Sequence, residues 1–445
     1  MTTVSLREAV MYQKGFRVAV IDGCRTPFQR SGTGYYDLMA WEIGRYAVKG
    51  LVSRVPIDIN EVGHVIMGTV AVDIATTNVA REIMLGAGLP YSIPAHTEIV
   101  ACISSNMAIA NGVNMILAGD TNAVIAGGVE SFSDPPIKIS KPFRRFLLDM
   151  TMFKRPKTLS GKLKLIRKLK LRDILTPERP ALGEYSTGLI MGQNADRLAK
   201  RLGITREEQD EYAIMSHRRA AQAIKEGRLK QEIVPVVLRG QSKAITEDNG
   251  PRGDMTKERV SALPPAFDRK YGTVTAANSS FLTDGAAAVL LMSEKRAKAL
   301  GLKPIGYIRS QAFTGQNLWE ELLLGPAFAI PKALRAAGLK FSDLGVIEIH
   351  EAFAAQMIAV IRCLESDTFG KEKLGLAGRV GRVDLNKLNV YGGSLSLGHP
   401  FGATGARLLT TCCNRLIETG EKYGVIAGCA AGAVGGAMII ENARV

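Results

Sequence analysis

Cysteine is scarce in this chain, and its spacing excludes the usual cysteine-based frameworks. The 445 residues include six cysteines: Cys24, Cys102, Cys363, Cys412, Cys413 and Cys429. Their spacing fits neither a zinc ribbon nor a CxxC redox pair. A chain of this length can bury enough apolar surface to fold without disulfides. We therefore expect reduced thiols and an intracellular compartment.

The sequence also lacks an apolar segment typical of a secretory signal or a membrane anchor. The first 16 residues contain Glu8 and Lys14 and no hydrophobic core region, which disfavours a signal peptide. The longest uncharged run, residues 423–440, contains five glycines. Such a glycine content is typical of buried strands joined by a turn, and it disfavours a membrane helix. We expect a soluble, cytoplasmic protein.

Negative charge is almost absent from one segment of a chain whose formal net charge is +15. Residues 138–172 contain thirteen Lys or Arg and one acid, Asp149, so the segment carries +12 and the other 410 residues only +3. This uneven distribution disfavours a generally basic nucleic-acid-binding protein. The basic segment needs an explanation of its own.

The pattern of apolar segments predicts an α/β fold. Hydrophobic residues form 46% of the chain and charged residues 22%, as in globular proteins. Residues 17–22 and 124–130 have the pattern of buried strands, and residues 102–118 that of a buried helix. The tetrapeptide Val-Ile-Ala-Gly occurs at 124–127 and again at 425–428, each time after an apolar strand and a small-residue loop. This shared order predicts an internal duplication around one shared site.

The region between the two repeats is more polar. Thr205 and Glu208 form a capping box, which predicts a helix running towards Gly227. Residues 161–175 combine strand-like alternation with helical spacing, and we expect an amphipathic helix there.

Cys102 is the first candidate for chemistry. It lies in the segment VACISSN, where a strand gives way to a small-residue helix. A thiol at a helix N-terminus feels the positive end of the helix dipole, which favours the thiolate. Taken alone, the segment fits a buried structural cysteine better.

A glycine-rich loop, residues 391–405 (YGGSLSLGHPFGATG), holds His399 directly before a proline. Gly398, Gly402 and Gly405 imitate a dinucleotide-binding fingerprint, but no acidic residue follows at the end of a strand about 20 positions on. A histidine in a loop that lets backbone approach closely suits a general base.

His350 and Cys429 extend this set. His350 follows an apolar strand in IHEAFA, and Cys429 follows the second Val-Ile-Ala-Gly strand in GCAAG. Two cysteines and two histidines could form a zinc site, but none of them is paired at short zinc-ligand spacing. A nucleophile, a base and a second acid or base explains the set better.

Together these segments resemble the thiolase family. The matching motifs are the loop around Cys102, His-Glu-Ala-Phe at 350–353, Gly-His-Pro at 398–400 and the cysteine loop at 429–431, together with the stretches 126–131, 191–192, 272–280 and 284–288. The resemblance covers nearly the whole chain. His350 in place of asparagine, the run 392–405 and the long basic insertion resemble the β-subunits of the fatty-acid β-oxidation trifunctional complex.

The resemblance implies a 3-ketoacyl-CoA thiolase. His399 would take the proton of Cys102, whose thiolate would attack the 3-keto carbon of a 3-ketoacyl-CoA. Cys429 would protonate the departing acetyl-CoA enolate, while His399, together with His350 acting through a water, would stabilise the enolate oxygen. Free CoA would then collect the acyl group. CoA is a substrate here, and the resemblance implies neither a cofactor nor a metal.

Three binding positions also follow from the resemblance. Ser280 matches a residue that contacts the pantetheine of CoA, and Met191 one that lines the acyl pocket. Ala431 replaces a family glycine but keeps the backbone N–H. With the N–H of Cys102, it would bind the acyl-enzyme oxyanion.

The implied fold has two duplicated α/β halves in a five-layered α-β-α-β-α arrangement with an inserted loop domain. The N-terminal half would comprise 1–132 and 283–305, and the C-terminal half 306–445. The loop domain would comprise 133–282, with the basic insertion at 138–175. We expect a homodimer or a dimer of dimers, with a hydratase/dehydrogenase α-subunit as a candidate partner.

Two other functions remain open. A biosynthetic acetoacetyl-CoA thiolase, which condenses two acetyl-CoA, is the nearest enzymatic alternative. A non-catalytic thiolase-fold lipid carrier usually lacks one of the catalytic groups, and none is missing here.

The basic segment has three interpretations: a solvated face, a field that steers polyanionic CoA, and a surface that docks on anionic lipid or a partner subunit. Its interleaved leucines and isoleucines favour docking, because steering needs no apolar residues. We therefore expect peripheral membrane contact or α-subunit contact through 138–175.

Overall fold

The computed structural model of the chain describes residues 16–178 and 183–445. Its strands are β1 (Val18–Arg25), β2 (Gln29–Arg30), β3 (His64–Gly68), β4 (Ala95–Glu98), β5 (Ala123–Glu130), β6 (Thr283–Ser293), β7 (Gly306–Gly315), β8 (Leu344–Ile349), β9 (Tyr423–Ala430) and β10 (Val434–Asn442). They form a sheet in the order β4-β3-β5-β6-β1-β7-β10-β9-β8, and the short β2 pairs with β6.

The helices lie between and around these strands. They are α1 (Ala40–Arg54), α2 (Val79–Gly86), α3 (Ser104–Ala118), α4 (Lys141–Thr151), α5 (Leu159–Lys168), α6 (Leu171–Leu175), α7 (Met191–Arg201), α8 (Arg206–Lys225), α9 (Lys257–Ser261), α10 (Glu294–Ala299), α11 (Gly325–Ala337), α12 (Ala354–Glu365), α13 (Asp367–Leu374), α14 (Ser394–Leu397) and α15 (Thr404–Thr419).

The topology repeats on the two sides of the β1–β7 contact, as the recurring tetrapeptide predicts. β3 is parallel to β5, and the strands β5, β6 and β1 then follow in antiparallel order. On the other side, β8 is parallel to β9, and β9, β10 and β7 follow in antiparallel order. Val18–Val20 of β1 pairs with Gly306–Ile308 of β7 and joins the two halves into one sheet.

Three apolar cores separate the layers. The outer core of the N-terminal half packs α1 and α2 on one sheet face, for example Ile43 and Ile83 with Ile125. The central core packs α3 and α15 between the two halves. The outer core of the C-terminal half packs α11 and α12 on its sheet. The alternation gives the expected α-β-α-β-α arrangement, and strands covered on both faces explain why all eight residues of β5 are buried.

Successive residues of a strand face two different cores. The two halves therefore lie on opposite sides of the central helices. Val124 of β5 faces the central core and Ile125 faces the outer core. Ile426 of β9 likewise faces the central core, and Val425 faces outward. This alternation follows from the period of two in a strand.

Two local expectations have different outcomes. The capping box at α8 is confirmed, because the Thr205 hydroxyl accepts the Glu208 N–H and the Glu208 carboxylate accepts the Thr205 N–H. The single helix expected over 161–175 is wrong. The chain is extended at Leu169, and a new helix, α6, begins where the Asp173 carboxylate accepts the Lys170 N–H.

The uncharged run at 423–440 forms β9 and most of β10, joined by a turn with Gly432 at φ 84°, so the expectation of two buried strands is confirmed. Within the described residues, one helical stretch, Ala101–Ala118, is long and apolar enough to cross a membrane by composition. It packs in the central core between the two halves.

Candidate active site

Cys102 lies in a short 3-10 turn, Ala101–Ile103, that leads into α3. Ala101 has a φ of 43°, a left-handed conformation that costs energy for a residue with a Cβ. The Ser104 hydroxyl holds the turn, because it donates to the Ala101 carbonyl at 2.7 Å and accepts the Val100 N–H at 2.9 Å. The turn leaves Cys102 partly exposed while Ile103 is fully buried.

His399 lies in the glycine-rich loop before α15, and it is buried. Its Nδ1 is 2.7 Å from the Thr404 hydroxyl oxygen, and that hydroxyl donates to the Pro400 carbonyl at 3.0 Å. Since the hydroxyl proton is already used, we assign the Nδ1–H tautomer to His399. Its Nε2 then carries a lone pair, and it has no hydrogen-bond partner within the described residues.

His350 directly follows β8, where its N–H donates to the Ala427 carbonyl at 2.8 Å. Its Nδ1 is 2.8 Å from the Ser394 hydroxyl oxygen. Its Nε2 is buried without a partner among the described residues, as in His399. The centroids of the two imidazole rings are 3.9 Å apart.

The structure brings three predicted residues from distant parts of the chain to one point. One donor atom each of Cys102, His350 and His399 lies within 4.8 Å of the others. A small movement of the side chains would bring the thiol and an imidazole within reach for proton transfer, and three such ligand atoms could also hold a metal ion. The turn at the start of α3 supplies the thiol, and the C-terminal half supplies both imidazoles.

Cys429 lies at the end of β9 and is buried beside this group. Its charge, when present, raises the pKa of Cys102, whereas the backbone N–H groups of Cys102 and Ala431 lower it by hydrogen bonding to the sulfur. Ala431 thus lies close enough to affect the Cys102 sulfur, and its role as an oxyanion donor stays a prediction.

Burial determines the protonation states of the resting site. Burial raises the pKa of the Cys102 thiol well above its usual value, and raises that of Cys429 to about 12. It also lowers the pKa of His350 to about 3 and lowers that of His399 well below its usual value. Desolvation of the sulfur opposes the effect that we expect from the helix dipole, and the dipole's effect on the Cys102 thiolate stays a prediction. Both thiols and both imidazoles are neutral at pH 7.

Glu130, at the end of β5, holds the His399 loop in place, and sequence reasoning missed this role. Its buried carboxylate accepts N–H groups from Ala71 at 2.9 Å and Gly402 at 3.0 Å, besides contacts to Thr69 and Val70. Burial raises its pKa to about 7. An acid that ends an otherwise apolar strand, in AVIAGGVE, is the signal that could have found it.

Glu351 holds the other side of the site. Its carboxylate accepts hydrogen bonds from the Tyr212 and Ser216 hydroxyls, the Asn389 amide and the Leu395 N–H. It thereby ties α8 to the loop that carries the Ser394 partner of His350. Its place directly after His350 in the sequence is the only local signal.

The structure shows the surroundings of Ser280 and Met191, while their contacts with CoA and the acyl chain stay predictions. The Ser280 N–H donates to the Ala352 carbonyl at 3.0 Å, so this loop runs beside the His350 loop. Met191 begins α7 and packs on the apolar core that includes Cys429 and Phe353.

A cleft of about 380 Å³ lies next to these residues. Its lining includes Ser279, Phe281 and Leu395 and three arginines, Arg30, Arg252 and Arg259. The sequence could not indicate these arginines as a group, because Arg30 is more than 200 positions from the other two. Arg259 pairs with Asp254 of the same lining at 2.9 Å, so the cleft keeps a net positive charge from Arg30 and Arg252.

Comparisons with known proteins agree with this geometry. Residues 18–295 match the family model described as "Thiolase, N-terminal domain", and residues 302–442 match "Thiolase, C-terminal domain". The chain is 48% identical over 424 residues to the mitochondrial trifunctional enzyme subunit beta of Bos taurus, covering 95% of this chain and 88% of that protein. It is 46% identical to the 3-ketoacyl-CoA thiolase of Yersinia enterocolitica, covering 96% and 98%.

Solved structures show the same fold. The acetyl-CoA acetyltransferase of Bacillus anthracis superposes with a TM-score of 0.82 at 31% identity, covering 96% of this chain and 99% of that chain. Human mitochondrial 3-ketoacyl-CoA thiolase superposes with a TM-score of 0.80 at 30% identity, with the same coverage. Since the family models and the relatives span nearly the whole chain, the chain belongs to the thiolase family.

Proposed function

We propose that this protein is an acyltransferase that cleaves 3-ketoacyl-CoA with CoA, giving acyl-CoA and acetyl-CoA in fatty-acid β-oxidation. The observation that carries the proposal is the convergence of Cys102 with two neutral imidazoles, of which His399 offers an unpartnered lone pair. Relatives named 3-ketoacyl-CoA thiolase, 46% identical over nearly their whole length, support it.

The first half-reaction begins when His399 Nε2 takes the proton of Cys102. The thiolate attacks the 3-keto carbon, the Cα–Cβ bond breaks, and the acyl group remains on sulfur. Cys429 protonates the carbon of the departing acetyl-CoA enolate. The His350 and His399 rings lie where they can donate to the enolate oxygen, and the N–H groups of Cys102 and Ala431 to the acyl-enzyme oxyanion.

In the second half-reaction the Cys429 thiolate takes the proton of CoA. The CoA sulfur attacks the acyl carbonyl, and Cys102 leaves as a thiolate that regains its proton from His399. Because burial keeps every group neutral at rest, charge develops only once substrate supplies an acceptor.

The neighbouring cleft fits CoA. Arg30, Arg252 and Arg259 line it, and charge-assisted hydrogen bonds from arginine suit phosphate groups. Ser280 would contact the pantetheine arm between cleft and thiol, and Met191 would border the acyl chain.

Mass spectrometry after mixing with acyl-CoA tests the proposal. We expect one acyl adduct, on Cys102, and loss of turnover by several orders of magnitude in Cys102→Ser, because an alkoxide forms far less readily than a thiolate. An adduct on Cys429, or none on an active enzyme, would contradict the assignment. Activity across chain lengths separates this function from the acetoacetyl-CoA thiolase alternative, which would act on the four-carbon substrate alone.

We also propose that the basic insertion docks on an anionic membrane surface, making this a cytoplasmic protein peripheral to the membrane. Its helices expose large apolar side chains among the lysines, including Leu159 at 76% and Leu171 at 71% exposure. Of its thirteen basic residues, three, Arg144, Arg155 and Arg172, have an ion-pair partner within the described residues. Each engaged Lys or Arg contributes about 1 kcal/mol at an anionic surface.

Sedimentation with anionic vesicles tests this surface. Neutralising Lys162, Lys164, Arg167, Lys168 and Lys170 should abolish binding and leave turnover of short, soluble substrates unchanged. A matched control neutralises five exposed lysines elsewhere: Lys225, Lys230, Lys303, Lys340 and Lys371. Binding that survives in the first variant contradicts the proposal. Capture of a hydratase/dehydrogenase subunit without vesicle binding would assign the surface to that partner, and a salt-dependent turnover without either would assign it to CoA steering.

A homodimer is the third proposal. β4 is one of the two edge strands of the sheet, and the exposed side chains Tyr91 and Ile99 lie before and after it in the chain. An edge strand with apolar flanks favours pairing with a second copy. Analytical ultracentrifugation of a Tyr91→Lys, Ile99→Lys variant should show a smaller species than the wild type.

A further inference from the structure

The imidazoles of His350 and His399 differ in the hydrogen-bonding groups that surround their Nδ1 atoms. Each turns Nδ1 towards a hydroxyl and leaves Nε2 for the reacting atoms. The hydroxyl behind His399 has an acceptor as its other partner, the Pro400 carbonyl. The hydroxyl behind His350 has a donor instead, the Arg407 guanidinium, whose Nη2 is 3.3 Å from the Ser394 oxygen.

This difference reverses the tautomer of His350. A guanidinium carries only donors, so Arg407 can only give a hydrogen bond to Ser394. Within the described residues the Ser394 hydroxyl has no partner besides Arg407 and His350. Its own proton must therefore go to Nδ1 of His350, since a buried hydroxyl without an acceptor is unfavourable. Nδ1 then accepts, and Nε2 carries the hydrogen.

We propose that Ser394 and Arg407 are positioning residues that hold His350 as an Nε2–H donor, opposite to the Nε2 lone pair of His399. The proposed reaction needs one imidazole that accepts a proton at Nε2 and one that donates a hydrogen bond there, so the inference rests on the proposed function. His399 must accept the thiol proton, whereas His350 must donate to the enolate oxygen from the start. If His350 were in the Nδ1–H form, its lone pair would face that oxygen and repel it.

The setting of Arg407 supports a role beyond stability. Arg407 is fully buried on α15, and its Nε and Nη1 have no hydrogen-bond partner within the described residues. Its nearest charge, Glu348, is 3.7 Å away and is bound more closely by Arg415, at 2.6 Å. A buried guanidinium with unfilled donors is expensive, and such exceptions are typical of functional positions.

Histidine-selective ¹⁵N NMR of the full-length resting enzyme tests the proposal without any turnover. The chain has five histidines, and the His350→Asn and His399→Asn spectra assign the two signals. We expect a protonated Nε2 on His350 and a protonated Nδ1 on His399. The same tautomer on both rings would overturn the proposal, even if the protein is an active thiolase.

Variants extend the test. Ser394→Ala and Arg407→Met should each convert His350 into a mixture of tautomers, with a loss of kcat of the order of tenfold and little change in KM. Arg407→Lys keeps a charged donor and should restore the Nε2–H form. Ser396→Ala removes another buried hydroxyl of α14, one that contacts Ser216 and neither imidazole, and should keep the wild-type tautomers.

The outcomes are separable. A pure Nε2–H signal in both Ser394→Ala and Arg407→Met would contradict the positioning role. The wild-type spectrum decides even where a variant fails to fold. Correct tautomers in a protein without thiolase activity would leave the positioning inference standing and remove the proposed function alone.

Discussion

The two halves of the sheet have the same topology but present different residues where their strands approach the site. In the C-terminal half, β8 and β9 lead to His350 and Cys429. In the N-terminal half, β3 ends at Gly68, and β5 passes through Gly128 before it ends at Glu130. A Cβ at Gly128, the position equivalent to Cys429 in the repeat, would lie 1.9 Å from the Gly402 carbonyl oxygen.

Gly68 and Gly128 allow close packing. A Cβ at Gly68 would lie 2.6 Å from the Cβ of Ser104, in the turn that carries Cys102. The glycines therefore let the thiol turn and the His399 loop approach the N-terminal sheet closely. The two halves share their strand topology but contribute different groups: the N-terminal half supplies Cys102 and Glu130, and the C-terminal half supplies His350, His399 and Cys429. One composite site results instead of two.

The sharpest way to break this comparison is Cys429→Gly, which gives β9 the residue that β5 has. Loss of the second acid should lower the cleavage of 3-ketoacyl-CoA by about 10²–10⁴-fold. Acylation of Cys102 by acyl-CoA should survive, because Cys102 and His399 are unchanged. Steady-state kinetics and mass spectrometry measure the two effects. Cys429→Ala is the control that keeps the Cβ, and cleavage near the wild-type rate in either variant would assign the acid to another group.

The second test compares equivalent glycines. A Cβ at Gly127 would lie 2.2 Å from the Ala287 carbonyl oxygen, whereas one at the equivalent Gly428 would lie 3.0 Å from the nearest atom, a methyl group of Ile103. Gly127→Ala should lower the free energy of unfolding by about 3 kcal/mol, and Gly428→Ala by about 1 kcal/mol or less. Urea unfolding at one fixed protein concentration measures both. Equal losses would mean that the N-terminal half accommodates an added methyl group as well as the C-terminal half does.

The third test uses pH. Burial raises the pKa of Glu130 to about 7, so its contribution to stability is lost as the pH rises from 4.5 to 7. Burial lowers the pKa of His350 to about 3, so stability is lost as the pH falls from 6.5 towards 3. Between pH 4.5 and 6.5 the two groups change the free energy of unfolding with pH in opposite directions, each by up to about 1.4 kcal/mol per pH unit.

Single variants separate these slopes. Relative to the wild type, Glu130→Gln should gain stability as the pH rises, and His350→Asn should gain stability as the pH falls. Urea midpoints at pH 5 and pH 6.5 measure both trends. Slopes of the same sign would show that one of the two groups titrates near its ordinary value.

Local motifs carried much of what the sequence could predict. The strands that enclose the site, the capping box of α8 and the loops of Cys102, His350, His399 and Cys429 all have their signal within about ten residues. The family resemblance rests on those same loops. Roles that depend on a short contiguous segment can therefore be predicted from the amino-acid sequence alone.

Other features depend on contacts between distant residues. Arg25 binds Glu232 and Asp248, which are 207 and 223 positions away, and no local pattern pairs them. The pKa of the Cys102 thiol is hard to predict from the sequence for the same reason. Its place at a helix start is a local fact that favours ionisation, but its burial is a property of the whole fold, and burial dominates.

The position of β6 in the sheet has a consequence for synthesis on the ribosome. β6 lies between β5 and β1, yet residues 131–282 separate it from β5 in the chain. At about 5–20 residues per second, β5 waits roughly 8–30 s and β1 roughly 13–50 s for β6, which covers one edge of each. During that time two apolar strands present unpaired backbone, which is a template for pairing with other nascent chains. Production of this protein is therefore most vulnerable to aggregation before residue 293 emerges, and chaperones that bind extended apolar segments should act in that interval.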